Sequence, residues 1–330
     1  SLDALMDHQD EVDAVVAGLL RPLIDQDLSV VFYDLTTIRS EGLSQQAGDV
    51  RQYGMAKEGL IARQFMLGVV QTAEGLPIYH EVFDGNTAET RTLLPTLTKV
   101  LERFPSVQRV VLVADRGLLS LDNLEALKSV RLASGKPLEF ILAVPGRRYN
   151  EFIELLEPFH EEQCAAARQE VVAEQPWNAL RLVVAHDPAT AAAKTAQRNE
   201  RIDALIRQAE QWTGKLTAQD EGIQHRGRKL SDSGAKARFY HAVSEAHLSR
   251  ILKVDLGEEL FSYHIDEKAR RLAEMMDGKL LLVTNAQGLG AQDVVQRYKS
   301  LADIERGFKV LKSEIEIGPV YHRLPERIRA

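Results

Sequence analysis

Apolar residues recur at helical spacing over residues 3–25, which opens "DALMDHQDEV" and predicts an amphipathic N-terminal helix. "LSVVFYDLTT", 28–37, is a β-branched and aromatic run that predicts a buried strand carrying Asp34. "RQFMLGVVQTAEGLPIYHEVFDGN" predicts two strands joined by a hairpin turn at Glu74-Gly75. Asn86 or Thr87 is placed to cap a helix through "AETRTLLPTLTKVLERF", which Pro105 stops. "RVVLVADRG" predicts a short strand ending in Asp115, Ser120 a cap for the helix "LDNLEALKSV", and "EFILAVP" a further strand. Three strands, then helix, strand, helix, strand, describe an α/β protein: a mixed sheet with helices packed on it.

The pattern loosens from about Gly146. Residues 190–216 predict a long helix, and 222–238 an exposed basic loop. "ARFYHAV" and "LFSYHID" read as short strands, and "GKLLLVTNA", 278–286, as a buried one. A helix then starts near Ala291 and continues through "YKSLADIERGFKVLK", 298–312. With no internal repeat, the middle reads as an insertion in a mixed-sheet core. The expected division is an N-terminal helical segment 1–27, a first core part 28–145, an insertion domain 146–277 and a second core part 278–330.

Composition narrows the class. The chain has 330 residues, 45% hydrophobic and 27% charged, which is ordinary for a soluble globular protein of one large or two smaller domains. Cys164 is the only cysteine, so no disulfide forms within the chain and a cytoplasmic setting is expected. No apolar run is long enough to span a membrane, and residues 1–20 are too acidic for a signal peptide. The start at Ser1 and the end in "RLPERIRA" read as missing ends. A formal net charge of −7 argues against a whole-surface affinity for nucleic acid, though not against a local basic groove.

Three carboxylates stand out. Period two puts Asp34 on the face of Val30 and Phe32, and Asp115 on that of Val111 and Val113. In 298–312, Tyr298, Glu305 and Lys312 are spaced by seven, almost two helical turns, and so share a face with Leu301 and Phe308. A carboxylate on an apolar face is costly unless it is protonated or meets a cation. Each acid alone has an ordinary explanation: strands often end in Asp, and Glu305 has Lys309 at i+4. Together, two Asp at strand ends and a Glu on a later helix suit Mg²⁺ or Mn²⁺. Two such ions can act at one phosphodiester, and Lys312 would face the same side as a contact for phosphate.

On these residues the chain resembles the DDE transposases of bacterial insertion sequences, in the insertion-sequence-4 superfamily. Their signature Y-x2-R-x3-E-x6-K is matched by Tyr298, Glu305 and Lys312, with Leu301 at the usual Arg position. "YDLTTI", "VFDGNTAE" with "VADRG", "DGKLLLVTN" and "GPVYHRLPERIRA" resemble further family blocks. The resemblance covers about 28–145 and 277–330. It implies an RNase H-like fold interrupted by a mainly β insertion. Asp34, Asp115 and Glu305 would be catalytic and would ligate two Mg²⁺ or Mn²⁺ ions, while Tyr298 and Lys312 position DNA. It also implies strand cleavage, then attack of the freed 3′-hydroxyl on target DNA, in a homodimer with transposon ends, in the cytoplasm at the nucleoid. The rival readings are a structure-selective nuclease or resolvase on the same fold, and a truncated, non-catalytic DNA-binding remnant.

Other signals weigh less. "DLT" at 34–36 lacks the second Asp of aspartyl phosphatases, since position 36 is Thr36. There is no phosphate-binding G-x-x-x-x-G-K-[ST] loop, and no zinc spacing among the histidines. His80, His241 and His264 read as packed residues, and "HRGRK" at 225–229 as a solvated loop. Trp177 and Trp212 read as core residues rather than stacking platforms. For His322 a structural role and a place near DNA both stay open.

Overall fold

A computed structural model describes residues 1–24, 31–41, 48–55, 61–116, 121–223 and 229–329. They divide into two compact units: Ser1–Tyr149 with Val172–Val184 and Leu281–Ala330, and Asn150–Val171 with Ala185–Leu280. No helix among the described residues is long and apolar enough to cross a membrane.

The first unit opens with helices α1 (Leu2–Asp7) and α2 (Gln9–Ile24), so the single N-terminal helix expected is broken at His8. Strands β1 (Val31–Arg39), β2 (Gln52–Met55), β3 (Ile61–Thr72) and β4 (Pro77–Asp84) follow. After them come α3 (Leu93–Arg103), β5 (Val111–Ala114), α4 (Leu121–Ser129) and β6 (Glu139–Ala143). Strands β7 (Val171–Trp177) and β8 (Leu180–His186), which have no clear signal in the sequence, extend the sheet. The unit closes with β11 (Lys279–Thr284), α9 (Ala291–Lys299), α10 (Ala302–Ser313) and α11 (Pro325–Arg329).

The strands lie in the order β2-β3-β1-β5-β6-β11-β8-β7, with β4 also on β3. β1 is antiparallel to β3 and parallel to β5; β6 is parallel to β5, and β11 antiparallel to β6. The mixed α/β sheet expected from the hydrophobic pattern is present. β5 and β6 are buried almost throughout, as continuous apolar runs covered on both faces should be. The β3–β4 turn forms where Gly75 takes φ +84°, a left-handed conformation that a side chain would strain. After β4, the amide of Gly85 donates to the Val50 carbonyl at 3.0 Å. A Cβ on Gly85 would lie 1.9 Å from the Gln64 carbonyl oxygen, so "VFDGN" needs glycine there. At the end of β11 the Asn285 side chain continues the ladder, accepting from Phe140 N and donating to Leu138 O, each at 2.8 Å.

Helix α3 starts at Leu93, after a separate short turn at Glu89–Arg91, rather than at a cap on Asn86 or Thr87. The start follows burial: Leu93, Leu97 and Val100 form its inner face. Ser120, the expected cap of α4, lies outside the described residues.

The second unit holds α5 (Ile153–Phe159), a wide turn at His160–Cys164, α6 (Pro188–Asp220) and α7 (Asp232–Glu245). A two-stranded sheet of β9 (Leu252–Val254) and β10 (Tyr263–Ile265), and α8 (Glu267–Met276), complete it. It is mainly helical, which corrects the mainly β insertion implied by the resemblance. "ARFYHAV" is helix, not strand: Ala235, Phe239 and Val243 are buried at steps of four, and the apparent alternation crosses that stripe. Ser231 caps α7, accepting from Gly234 N at 3.1 Å, so 232–238 is helical rather than an open loop. Most of "HRGRK" lies outside the described residues. Trp212 packs edge-on against Phe239 and Phe261, at 6.3 Å from each, inside this unit's core. His80, His241 and His264, expected to be packed, are exposed.

Candidate active site

The register of β1 and β5 pairs Val31 with Leu112, Phe32 with Val113 and Tyr33 with Ala114. The residue that follows is Asp34, inside β1, and Asp115, one position beyond the end of β5. Neighbouring strands run about 4.8 Å apart, and carrying the register one residue further sets the two acids side by side. Asp34 is 8% exposed and Asp115 half-buried. Asp34 Oδ1 accepts from the Leu35 amide at 2.7 Å. Asp115 Oδ1 accepts from the hydroxyl of Tyr298 at 2.7 Å.

Tyr298 comes from the last turn of α9, which packs against β5 and β6 through buried Val294 and Val295. Burial first, then the hydrogen bond to Asp115 and its negative charge, hold the phenol far above its ordinary range. The hydroxyl, expected from the sequence to position DNA, meets Asp115 here, a partner that spacing along a helix does not reveal.

The single helix expected over 298–312 is two. α9 ends at Lys299 and α10 begins at Ala302. Between them Leu301 N donates to Tyr298 O at 3.0 Å and Ile304 N to Leu301 O at 3.1 Å. These i to i−3 bonds tighten the chain there. Leu301, Ile304 and Phe308 are buried, and α10 packs against β1. That stripe is centred on Ile304 and Phe308. Glu305 lies about 100° round the axis from Ile304 and is exposed, which corrects its expected place inside the apolar stripe. Lys312, in the last turn of α10, is half-buried.

Among the described residues, no group of three or more His, Cys, Asp or Glu is placed to hold a metal ion. Asp34, Asp115 and Glu305 do not make such a group. The donor set of Asp34 and Asp115 nevertheless fits a hard divalent ion. Mg²⁺ is commonly held by one or two carboxylates, with water and phosphate completing its shell.

A second polar group near the end of β1 escaped sequence reasoning. Arg51, 2% exposed, donates through Nε to Asp49 Oδ1 at 2.8 Å and through Nη2 to Asp49 Oδ2 at 2.9 Å. It also donates to the carbonyls of His322 at 2.8 Å and Arg323 at 2.9 Å. Arg63 donates to Asp49 Oδ2 at 3.2 Å. The Val320 amide donates to Arg39 O, and Val320 O accepts from Ser40 Oγ, each at 2.9 Å. The segment after α10 is thereby strapped to β1. His322 takes part through its carbonyl, while the residue itself is exposed. "DVRQYG" carries no periodicity that could have revealed this.

A mixed sheet with Asp34 on β1, Asp115 just after the parallel strand β5 and a later helix against β1 defines a carboxylate-bearing α/β core. The chain belongs to the transposase DDE domain family, which it matches over residues 25–330. No curated protein matches it. Among solved structures it is similar to one described as the Mos1 transposase paired-end complex with left transposon end, at 19% identity and a TM-score of 0.19. That similarity covers 35% of this chain and 39% of the other, and an overlap so loose says nothing about the site.

Proposed function

We propose that the chain is the catalytic core of an insertion-sequence-4-type DNA transposase on an RNase H-like fold, cleaving and joining phosphodiesters with divalent ions. What supports this reading is the parallel pairing of Phe32 with Val113 and Tyr33 with Ala114, the residues just before Asp34 and Asp115, in a chain of the transposase DDE domain family. The order β4-β3-β1-β5-β6, with β3 antiparallel and β5 and β6 parallel to β1, supports the fold assignment. The expected core parts 28–145 and 278–330 and insertion 146–277 are kept as the proposed domain division.

Asp34 and Asp115 would hold the ions, with Glu305 from α10 as third ligand once DNA is seated. When bound, Mg²⁺ or Mn²⁺ supplies activation of the attacking oxygen and stabilisation of the leaving one. The paired strand acids attract the cation and fix where it sits. Lys312, two turns beyond Glu305, supplies a positive charge toward a backbone phosphate. Transposon ends and target DNA are the proposed partners, in a homodimer acting at the cytoplasmic nucleoid.

The deciding experiment supplies the protein, Mg²⁺, linear duplexes carrying the element's own ends, and a supercoiled target. Joined products are expected. Hydrolysis alone would move the chain to the nucleases, and no cleavage with Mg²⁺ or Mn²⁺ would remove the enzymatic reading.

A further inference from the structure

The structure points to Tyr298 as a positioning residue for the Asp115 carboxylate, acting through that acid rather than on a DNA phosphate. We propose that its hydroxyl holds Asp115 Oδ1, so that the carboxylate presents its other oxygen to a divalent cation. The inference rests on the reading of Asp34 and Asp115 as cation ligands.

The geometry carries it. Tyr298 Oη donates to Asp115 Oδ1 at 2.7 Å across 183 residues of chain. A phenol has one proton, so this bond leaves it no donor for a phosphate. A carboxylate at the end of a short strand is otherwise free to rotate about its terminal torsion. A hydrogen bond to one oxygen fixes that rotation, which is how partners behind a ligand orient it and raise its affinity.

Tyr298 also sits at a structural junction. It closes α9, and its carbonyl accepts from Leu301 N in the tight turn that starts α10. One residue thus joins the end of β5 to the turn from which Glu305 is launched. A neutral phenol orients the acid and leaves its charge, and the Arg116 side chain meets the same phenol.

The test removes only the hydroxyl. Mn²⁺ alone, without DNA, is titrated by electron paramagnetic resonance into the wild-type protein, Tyr298→Phe and Asp115→Asn, with thermal unfolding recorded for each. The expected result is loss of the bound signal in Asp115→Asn and affinity lowered about tenfold in Tyr298→Phe, the effect typical of such supporting partners. Thermal unfolding of Tyr298→Phe should match the wild type, since a merely packed ring would keep its contacts. Wild-type Mn²⁺ affinity in Tyr298→Phe, with Asp115→Asn impaired, overturns the positioning role and leaves the site intact. Unimpaired Mn²⁺ binding in Asp115→Asn, or none in the wild type, overturns the metal reading and this inference with it.

Discussion

Two acidic regions of the first unit, one inside β1 and just past β5 and the other just before β2, are built in different ways. Asp49 is buried and met by two guanidinium groups, Arg51 and Arg63, whose N–H donors occupy both its oxygens. Asp115 is met instead by a neutral phenol, which also meets the Arg116 side chain. An acid answered by opposite charge at full hydrogen-bond strength is a closed structural device. An acid answered by a neutral donor keeps its charge, and a carboxylate on the neighbouring strand makes a place where a cation is favoured. The partner chosen for each carboxylate, more than its burial, separates the strap from the proposed site.

The strongest way to break that contrast is to neutralise the acids in place. Asp34→Asn, Asp115→Asn and Glu305→Gln should each lower DNA cleavage in Mg²⁺ by at least about 10³-fold, about 4 kcal/mol of barrier. Folding should be kept, because like-charge repulsion between the strand acids is relieved. A variant that cleaves like wild type removes that residue from the site.

Asp49→Asn should behave the other way. It leaves the Arg51 guanidinium buried and short of its counter-charge, a change that costs about 3 kcal/mol or more. Urea denaturation should show the loss, and Asp115→Asn in the same assay should not. Equal destabilisation by the two substitutions would erase the distinction drawn here.

The second unit offers a third arrangement, a lysine and two histidines gathered at one buried place. Lys279 Nζ lies 2.9 Å from His160 Nδ1 and donates to Met275 O at 2.6 Å. His186, 3% exposed, stands edge-on to His160 at 6.0 Å between ring centres. Burial, then the Lys279 charge, lowers both imidazoles below their ordinary value. Their contribution to stability is therefore full above the unfolded histidine value of about 6.5 and is lost as pH falls through the lower folded values. Denaturation followed from pH 7.5 downward should show this decline, and His186→Gln should flatten it. A decline of the same slope in His186→Gln would assign the acid sensitivity elsewhere.

The smallest expected effect belongs to Lys312. Lys312→Ala should lower the salt slope of DNA binding by about one unit, the loss of one phosphate contact, and leave Mn²⁺ binding as it was. An unchanged slope and affinity would take the last turn of α10 off the DNA side.

Much of the core was legible because its signals are local. The runs around Phe32, Val113 and Ile141 are continuous apolar stretches that hardly any other element accommodates, and the Gly75 turn announces the hairpin. Asp34 and Asp115 stood out because each follows such a run directly. The helix carrying Glu305 was visible too, from the spacing of Leu301 and Phe308.

The rest depended on distance in space. Whether 298–312 is one helix or two was decided by the packing of α9 on β5 and β6 and of α10 on β1, and that same packing turned Glu305 to an exposed flank. "ARFYHAV" alternates well enough for a strand, and only the core around Phe239 made it helix. Arg51 owes its burial to carbonyls some 270 residues further along the chain, and Tyr298 its partner to an acid 183 residues earlier. By itself the sequence determined which segments are apolar, that two aspartates directly follow such runs and that a glutamate lies on a later helix; β1 runs on past Asp34 to Arg39, which the sequence did not announce. Only the tertiary structure decided which acids stand side by side and which donors answer them, because strand register and long-range hydrogen bonds are set by the packing of whole elements and leave no periodic trace in the residues that make them.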